Sequence, residues 1–224
     1  MFIGHYAVAF GVKRAVPRVS LGVLFAATSL IDLLWPIFLL LGWERVRIDP
    51  GNTVVTPLDF VYYPITHSLI GAAGWAVLLA LLYWAWTRYA SGALVVALVA
   101  LSHWFLDLLV HRPDLPIVPG SSHLVGLGLW NSFPGTILVE GGLCVAGVWL
   151  YATATHARDR VGRYAFWSLV GFLALIYAAN LLGPPPPSVN AVAYAGLASW
   201  FLPFWAAWFD RHRTPHGTAL YASV

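Results

Sequence analysis

The chain has 224 residues, of which 60% are apolar, 15% aromatic and only 9% charged, with a mean hydropathy of +0.76. A soluble domain carries roughly 25% charged residues, so this supply cannot cover a water-soluble globule, which excludes a cytosolic enzyme, a disordered tail and a secreted disulfide scaffold. The net charge of +3 sits in short clusters between long apolar runs, the pattern of a polytopic membrane protein rather than a nucleic-acid binder.

In chain order, residues 2–12 are apolar but too short to cross a bilayer, and they are expected to form a short interfacial or re-entrant helix that dips into the bundle. Six longer runs each reach the roughly 20 apolar residues that a span needs: 20–41, 65–87, 92–111, 134–153, 164–182 and 189–209. The fold class is therefore an all-α helical bundle of about six spans, one integral membrane domain over residues 1–224. The first run reads as a span and not a cleaved signal peptide, because Asp32 and Pro36 interrupt its apolar core. Pro184 to Pro187 form a stiff extended connector. Trp43, Trp84, Trp86, Trp130, Trp149 and Trp200 gather near span ends, as interfacial aromatic belts do.

Positive charge alternates with the joints. Lys13, Arg14 and Arg18 precede the first span, and Arg88 separates the second from the third. Arg158, Arg160 and Arg163 separate the fourth from the fifth, and Arg211 and Arg213 follow the sixth. The positive-inside rule then puts both termini in the cytoplasm. The intervening joints hold Arg45, Arg47 and Arg112, balanced by Glu44, Asp49, Asp59 and Asp114.

Asp32, Asp107 and Glu140 lie inside spans, with no Lys or Arg inside any span to neutralise them. Each ionised carboxylate near mid-bilayer costs a few kcal/mol. Either they carry protons, as in a relay, or a bound cation supplies the missing charge. Histidine placement favours the cation. His103, Asp107 and His111 follow at i, i+4 and i+8, so the first two share a helix face one turn apart. His111, about 12 Å beyond His103 by helical rise, could serve a second metal. His67 opens the second run with Thr66 as the expected N-cap, where the helix dipole favours a neutral, ligating imidazole. Counted from span ends, Asp32, His67, His103, Asp107 and Glu140 fall within about 3–14 Å of one bilayer face. His5 enters that layer from the other side. Nitrogen and carboxylate donors without thiolate make zinc the first choice of divalent metal, with iron or manganese as alternatives. Asp59 reads as solvated, and His123, His156, His212 and His216 as bystanders in loops or tail.

His5, the Asp32 of Thr28-Ser29-Leu30-Ile31-Asp32, Thr66-His67-Ser68-Leu69 and His103-x-x-x-Asp107 follow in an order that resembles the YdjM-like family over roughly residues 1–125. That family comprises bacterial inner-membrane proteins described as metal-dependent hydrolases, held to be distantly like zinc-dependent phospholipase C and P1 nuclease. Two departures stand out. A single Asp32 replaces the usual Asp-x-Asp, and Tyr63-Pro64 replaces His-Arg before Thr-His-Ser. The resemblance implies an inner-membrane location and a site built from His5, Asp32, His67, His103 and Asp107; Glu140, beyond the resembling stretch, and His111, from its helical spacing, are added as catalytic candidates on their own placement.

The expectation is a membrane-embedded hydrolase cutting a phosphoester or ester of a membrane lipid or lipid-like substrate. The alternative is an ion- or proton-coupled transporter or channel using the same groups, for which paired broken helices would argue. A third reading gives the metal a purely structural role in an assembly factor.

Overall fold

A computed structural model describes residues 1–215, and His216 lies outside them. The chain is mainly helical, with small two-stranded ladders at the ends of the bundle. Helix α1 (Ile3–Lys13) is buried along most of its length and packs on later helices. Helices α2 (Leu21–Thr28) and α3 (Leu30–Leu40) follow, then a hairpin of β1 (Arg45–Ile48) and β2 (Leu58–Tyr62). A single turn α4 (Pro64–His67) leads into α5 (Leu69–Thr87), which pairs with α6 (Ala90–Val110). After a small ladder of β3 (Leu115–Pro116) and β4 (Leu124–Val125), the short α7 (Phe133–Thr136) runs through a π-helical turn at Ile137–Gly141 into α8 (Gly142–Ala154). Strand β5 (Thr155–Ala157), α9 (Arg160–Leu182), α10 (Val189–Ala198), α11 (Phe201–Asp210) and β6 (Arg213–Pro215) complete the described chain.

Five helices or continuous helical runs are long and apolar enough to cross a membrane, or six if the bent pair α2–α3 is one span. Large apolar side chains such as Ile70, Val77, Leu81 and Leu82 on α5 and Leu94 and Leu98 on α6 are exposed. Exposed apolar surface on this scale needs lipid against it, so the chain is a membrane protein.

Local chemistry explains the boundaries. Ser20, Ser68, Ser132, Asp159 and Ser188 each accept a hydrogen bond from a backbone N–H three residues on and so cap α2, α5, α7, α9 and α10. Thr66 is therefore not the N-cap of the second span: Pro64 starts a separate turn, Thr66 and His67 belong to it, and Ser68 opens α5. Arg88, in the left-handed region at φ 55°, ends α5.

The first span is also not continuous. The Ser29 hydroxyl donates 2.6 Å back to the Phe25 carbonyl, a bond that competes with the helical ladder, and α2 and α3 meet at 52°. The last run carries only a two-residue turn at Ser199–Trp200, still in right-handed helical conformation, and stays one span. The two segments lie side by side, α2 on α11 and α3 on α10.

Between apolar helices in lipid, close packing replaces the hydrophobic drive. Gly147 on α8 lies against the Ala7 backbone on α1, and Gly22 on α2 against the Pro203 carbonyl of α11; a methyl group at either position would collide with main chain. One apolar cluster, around Phe10, Phe25, Tyr151, Phe166 and Phe209, fills the end of the bundle where α1 terminates. A second, around Ile31, Trp35, Tyr63 and Trp104, backs the cluster of polar groups at the other end.

Candidate metal centre

Four elements bring five of the expected ligands together. α1 supplies His5, α3 supplies Asp32 from its first turn, α4 supplies His67, and α6 supplies His103 and Asp107. His5, His67, His103 and Asp107 are each 2% exposed or less, whereas the Asp32 side chain is 42% exposed and marks the open side.

His103 Nε2 lies 3.0 Å from Asp107 Oδ2 and 3.6 Å from Asp32 Oδ2. His67 Nε2 lies 3.3 Å from Asp32 Oδ1 and 3.9 Å from Asp107 Oδ2. Zinc bonds of 2.0–2.2 Å at tetrahedral angles put neighbouring ligand atoms about 3.3–3.6 Å apart, and these separations bracket that range. The site therefore fits a divalent ion on size and on donor chemistry. His5, His103 and Asp107 form a second such group: His5 Nε2 is 3.1 Å from Asp107 Oδ1, and the two imidazoles stack at 3.5 Å.

The orientation of the nitrogens supports the fit. Because α2 stops at Thr28, the carbonyl there has no helical partner, and His103 Nδ1 donates to it at 2.7 Å. That fixes a proton on Nδ1 and leaves the buried Nε2 without a hydrogen-bond partner, as in histidines whose outer nitrogen is anchored while the inner one ligates a metal. The Thr28 hydroxyl in turn donates to the His5 carbonyl, and Trp104 donates to the His67 carbonyl. The helix break thus builds the site.

Glu140 reaches the same region from the π-helical turn, a feature that adds a residue to a helical turn and is frequent at functional sites. It is 1% exposed and accepts from the Phe2 N–H at 2.8 Å. It stands outside the two ligand groups. The Met1 amino group lies 2.5 Å from Asp107 Oδ1.

Among the described residues His111 joins neither ligand group. α6 ends just before it, and its Nδ1 pairs with Asp114 Oδ1 at 2.9 Å, with the Tyr63 hydroxyl donating to the same carboxylate at 3.0 Å. Phe60 and Trp130 close over the ring. Burial holds the His111 imidazole below its usual pKa, and burial together with Asp114 pushes the Tyr63 phenol up.

Asp59 is not solvated either. The hairpin buries it to 5% exposure, where it pairs with Arg47 at 2.5 Å and with Arg112. Glu44 and Asp114 read in the sequence only as charges that balance the joint arginines, because loop carboxylates carry no periodic signal and their burial is created by the hairpin and the turn that follows it. Among the residues expected to be bystanders, His212 pairs with Asp159 at 2.6 Å.

No protein-family model, curated protein or solved structure matches this chain.

Proposed function

We propose that this chain is a membrane-embedded, metal-dependent hydrolase that uses a divalent cation, zinc by first choice, on a phosphoester or ester of a lipid-like substrate. The observation that carries the reading is the buried Nε2 of His103, which has no hydrogen-bond partner. It points among carboxylates with its other nitrogen anchored on Thr28, an arrangement that a cation completes. When bound, such an ion supplies Lewis-acid polarisation of a phosphoryl or acyl oxygen and activation of water. His103, His67, Asp107 and Asp32 hold it, with Asp32 on the exposed side that a substrate approaches. Glu140 is the proposed proton acceptor, and the resemblance to the YdjM-like family supports the inner membrane as the location, with both termini cytoplasmic.

The direct test is metal content per purified chain by plasma mass spectrometry, for wild type and for His103→Ala/Asp107→Ala. Zinc in the wild type and none in the variant is the expected result, followed by turnover of phosphoester or lipid-ester substrates. A metal-free wild type purified without chelator overturns it.

One observation favours the transporter reading. The first span is broken into α2 and α3, which meet at 52°, and discontinuous helices carry substrate and ion sites in secondary transporters. Under that reading the carboxylates bind protons, and proton uptake without metal or turnover is its signature.

A further inference from the structure

Glu44 is 1% exposed, and every hydrogen bond drawn to its carboxylate comes from the start of α4. Oε1 accepts the Ile65 and Thr66 backbone N–H groups at 2.7 and 2.8 Å, and Oε2 accepts the Thr66 hydroxyl at 2.7 Å. The Thr66 oxygen then lies 2.6 Å from His67 Nδ1. The direction of this relay follows from the inventory of donors. A carboxylate only accepts, so the single hydroxyl proton of Thr66 goes to Glu44. Only lone pairs then remain on that oxygen for His67, and Nδ1 must donate. On a neutral ring His67 Nε2 then carries the lone pair and stands 3.3 Å from Asp32 Oδ1, the spacing of two ligands facing one cation; without that cation the carboxylate draws a second proton onto Nε2.

We propose that Glu44 is a positioning residue: acting through Thr66, it fixes the tautomer of His67 so that Nε2 is the nitrogen facing the centre and left to ligate. The arrangement parallels the anchor that Thr28 gives to His103, but reaches the second histidine by a side-chain route. It rests on the metal reading for its purpose, though not for its chemistry, which the hydrogen bonds alone define.

Glu44→Gln tests it sharply. The amide oxygen replaces Oε1 on the two backbone N–H groups, so the amide NH2 replaces Oε2 and donates to Thr66. The Thr66 hydroxyl must then turn its proton to His67 Nδ1, which drives the ring to the Nε2–H tautomer and aims a proton into the centre. The readout is the 15N spectrum of histidine-labelled, chelator-treated protein, with the His67 signals identified by their loss in His67→Asn.

The expected result is a protonated Nδ1 in wild type and Thr66→Ser, and a bare Nδ1 with the proton on Nε2 in Glu44→Gln. Zinc affinity should fall about 10- to 100-fold in Glu44→Gln, the usual effect of removing an outer-shell partner, and hold in Thr66→Ser. A bare Nδ1 in wild type, or an unchanged spectrum and affinity in Glu44→Gln, overturns the proposal. If Glu44→Gln does not fold, Thr66→Val and Thr66→Ser decide. Weaker zinc binding by the Val variant alone supports the relay, and equal binding overturns it. A wild type that shows a protonated Nδ1 yet takes up no zinc supports the relay and sinks the metal reading, so the two failures are distinguishable.

Discussion

Helix α1 carries a buried polar cluster at each end, His5 at one and Lys13 at the other, about 12 Å apart by helical rise. At the Lys13 end the charges cancel locally. Lys13 donates to Asp210 at 2.7 Å and to the Val19 carbonyl at 2.8 Å. Asp210 also accepts from the Leu21 N–H and the Tyr151 hydroxyl, each at 2.9 Å. Arg213 lies over the Tyr151 ring and donates to Thr155 and Gly162. These bonds join α1, α2, α8 and α11 and leave nothing for a ligand to supply. At the His5 end, Asp32, Asp107 and Glu140 meet no Lys or Arg side chain among the described residues, only the Met1 ammonium faces Asp107, and His5 Nδ1 and His103 Nε2 are buried without hydrogen-bond partners. Buried charge is compensated inside the chain where it holds helices together. It is less fully met where the His/Asp groups could hold a metal ion.

Lys13→Met should produce the largest effect, on folding and not on metal. It strands Asp210 in the interior, and removing one partner of a buried pair costs about 3–5 kcal/mol. Denaturant unfolding in detergent should show that loss, with metal per folded chain unchanged. If metal disappears while stability holds, the division of labour between the two ends is wrong.

A second pair of substitutions sharpens the contrast on the His5 side. Asp32→Asn should weaken zinc binding by more than about 100-fold, beyond the range for an outer-shell partner, with little change in unfolding. Asp59→Asn should do the reverse. Its arginine partners are partly exposed and screened, with Arg47 at 73%, so the expected cost is about 1 kcal/mol of stability with zinc affinity intact. Equal effects of the two on zinc would dissolve the distinction between site and scaffold.

The same contrast decides what could be read from sequence. The spans were legible because lipid demands long apolar runs, and His103 with Asp107 because one helical turn fixes their spacing. The break at Ser29 was not. Its hydroxyl bends back on Phe25, yet a serine in an apolar run serves equally well as packing. Thr66 and Ser68 both look like caps, and only the turn started at Pro64 assigns the role to Ser68 and frees Thr66 for Glu44. Glu44, Asp59 and Asp114 acquire their burial from the β1–β2 hairpin and neighbouring turns, contacts between residues far apart in the chain that leave no local pattern. His111 matched the helical repeat at i+8, but α6 ends at Val110 and the ring turns to Asp114.

The smallest effect belongs to a pair that neither end of α1 uses. Asp159 caps α9 through the Gly162 N–H at 2.9 Å and accepts from His212 at 2.6 Å. The bond from His212, then that from Gly162, holds its carboxyl below the usual range. A carboxyl depressed in the folded state contributes stability that is fully present above the unfolded value near about 3.9. That contribution disappears as pH falls through the lower, folded value. Asp159→Asn keeps a capping oxygen and removes only the charge. Wild type should therefore unfold at a slightly higher temperature than Asp159→Asn at neutral pH, and the gap should close below pH ~4 and narrow in high salt. A gap independent of both pH and salt would mean that the side chain's shape, not its charge, holds the start of α9.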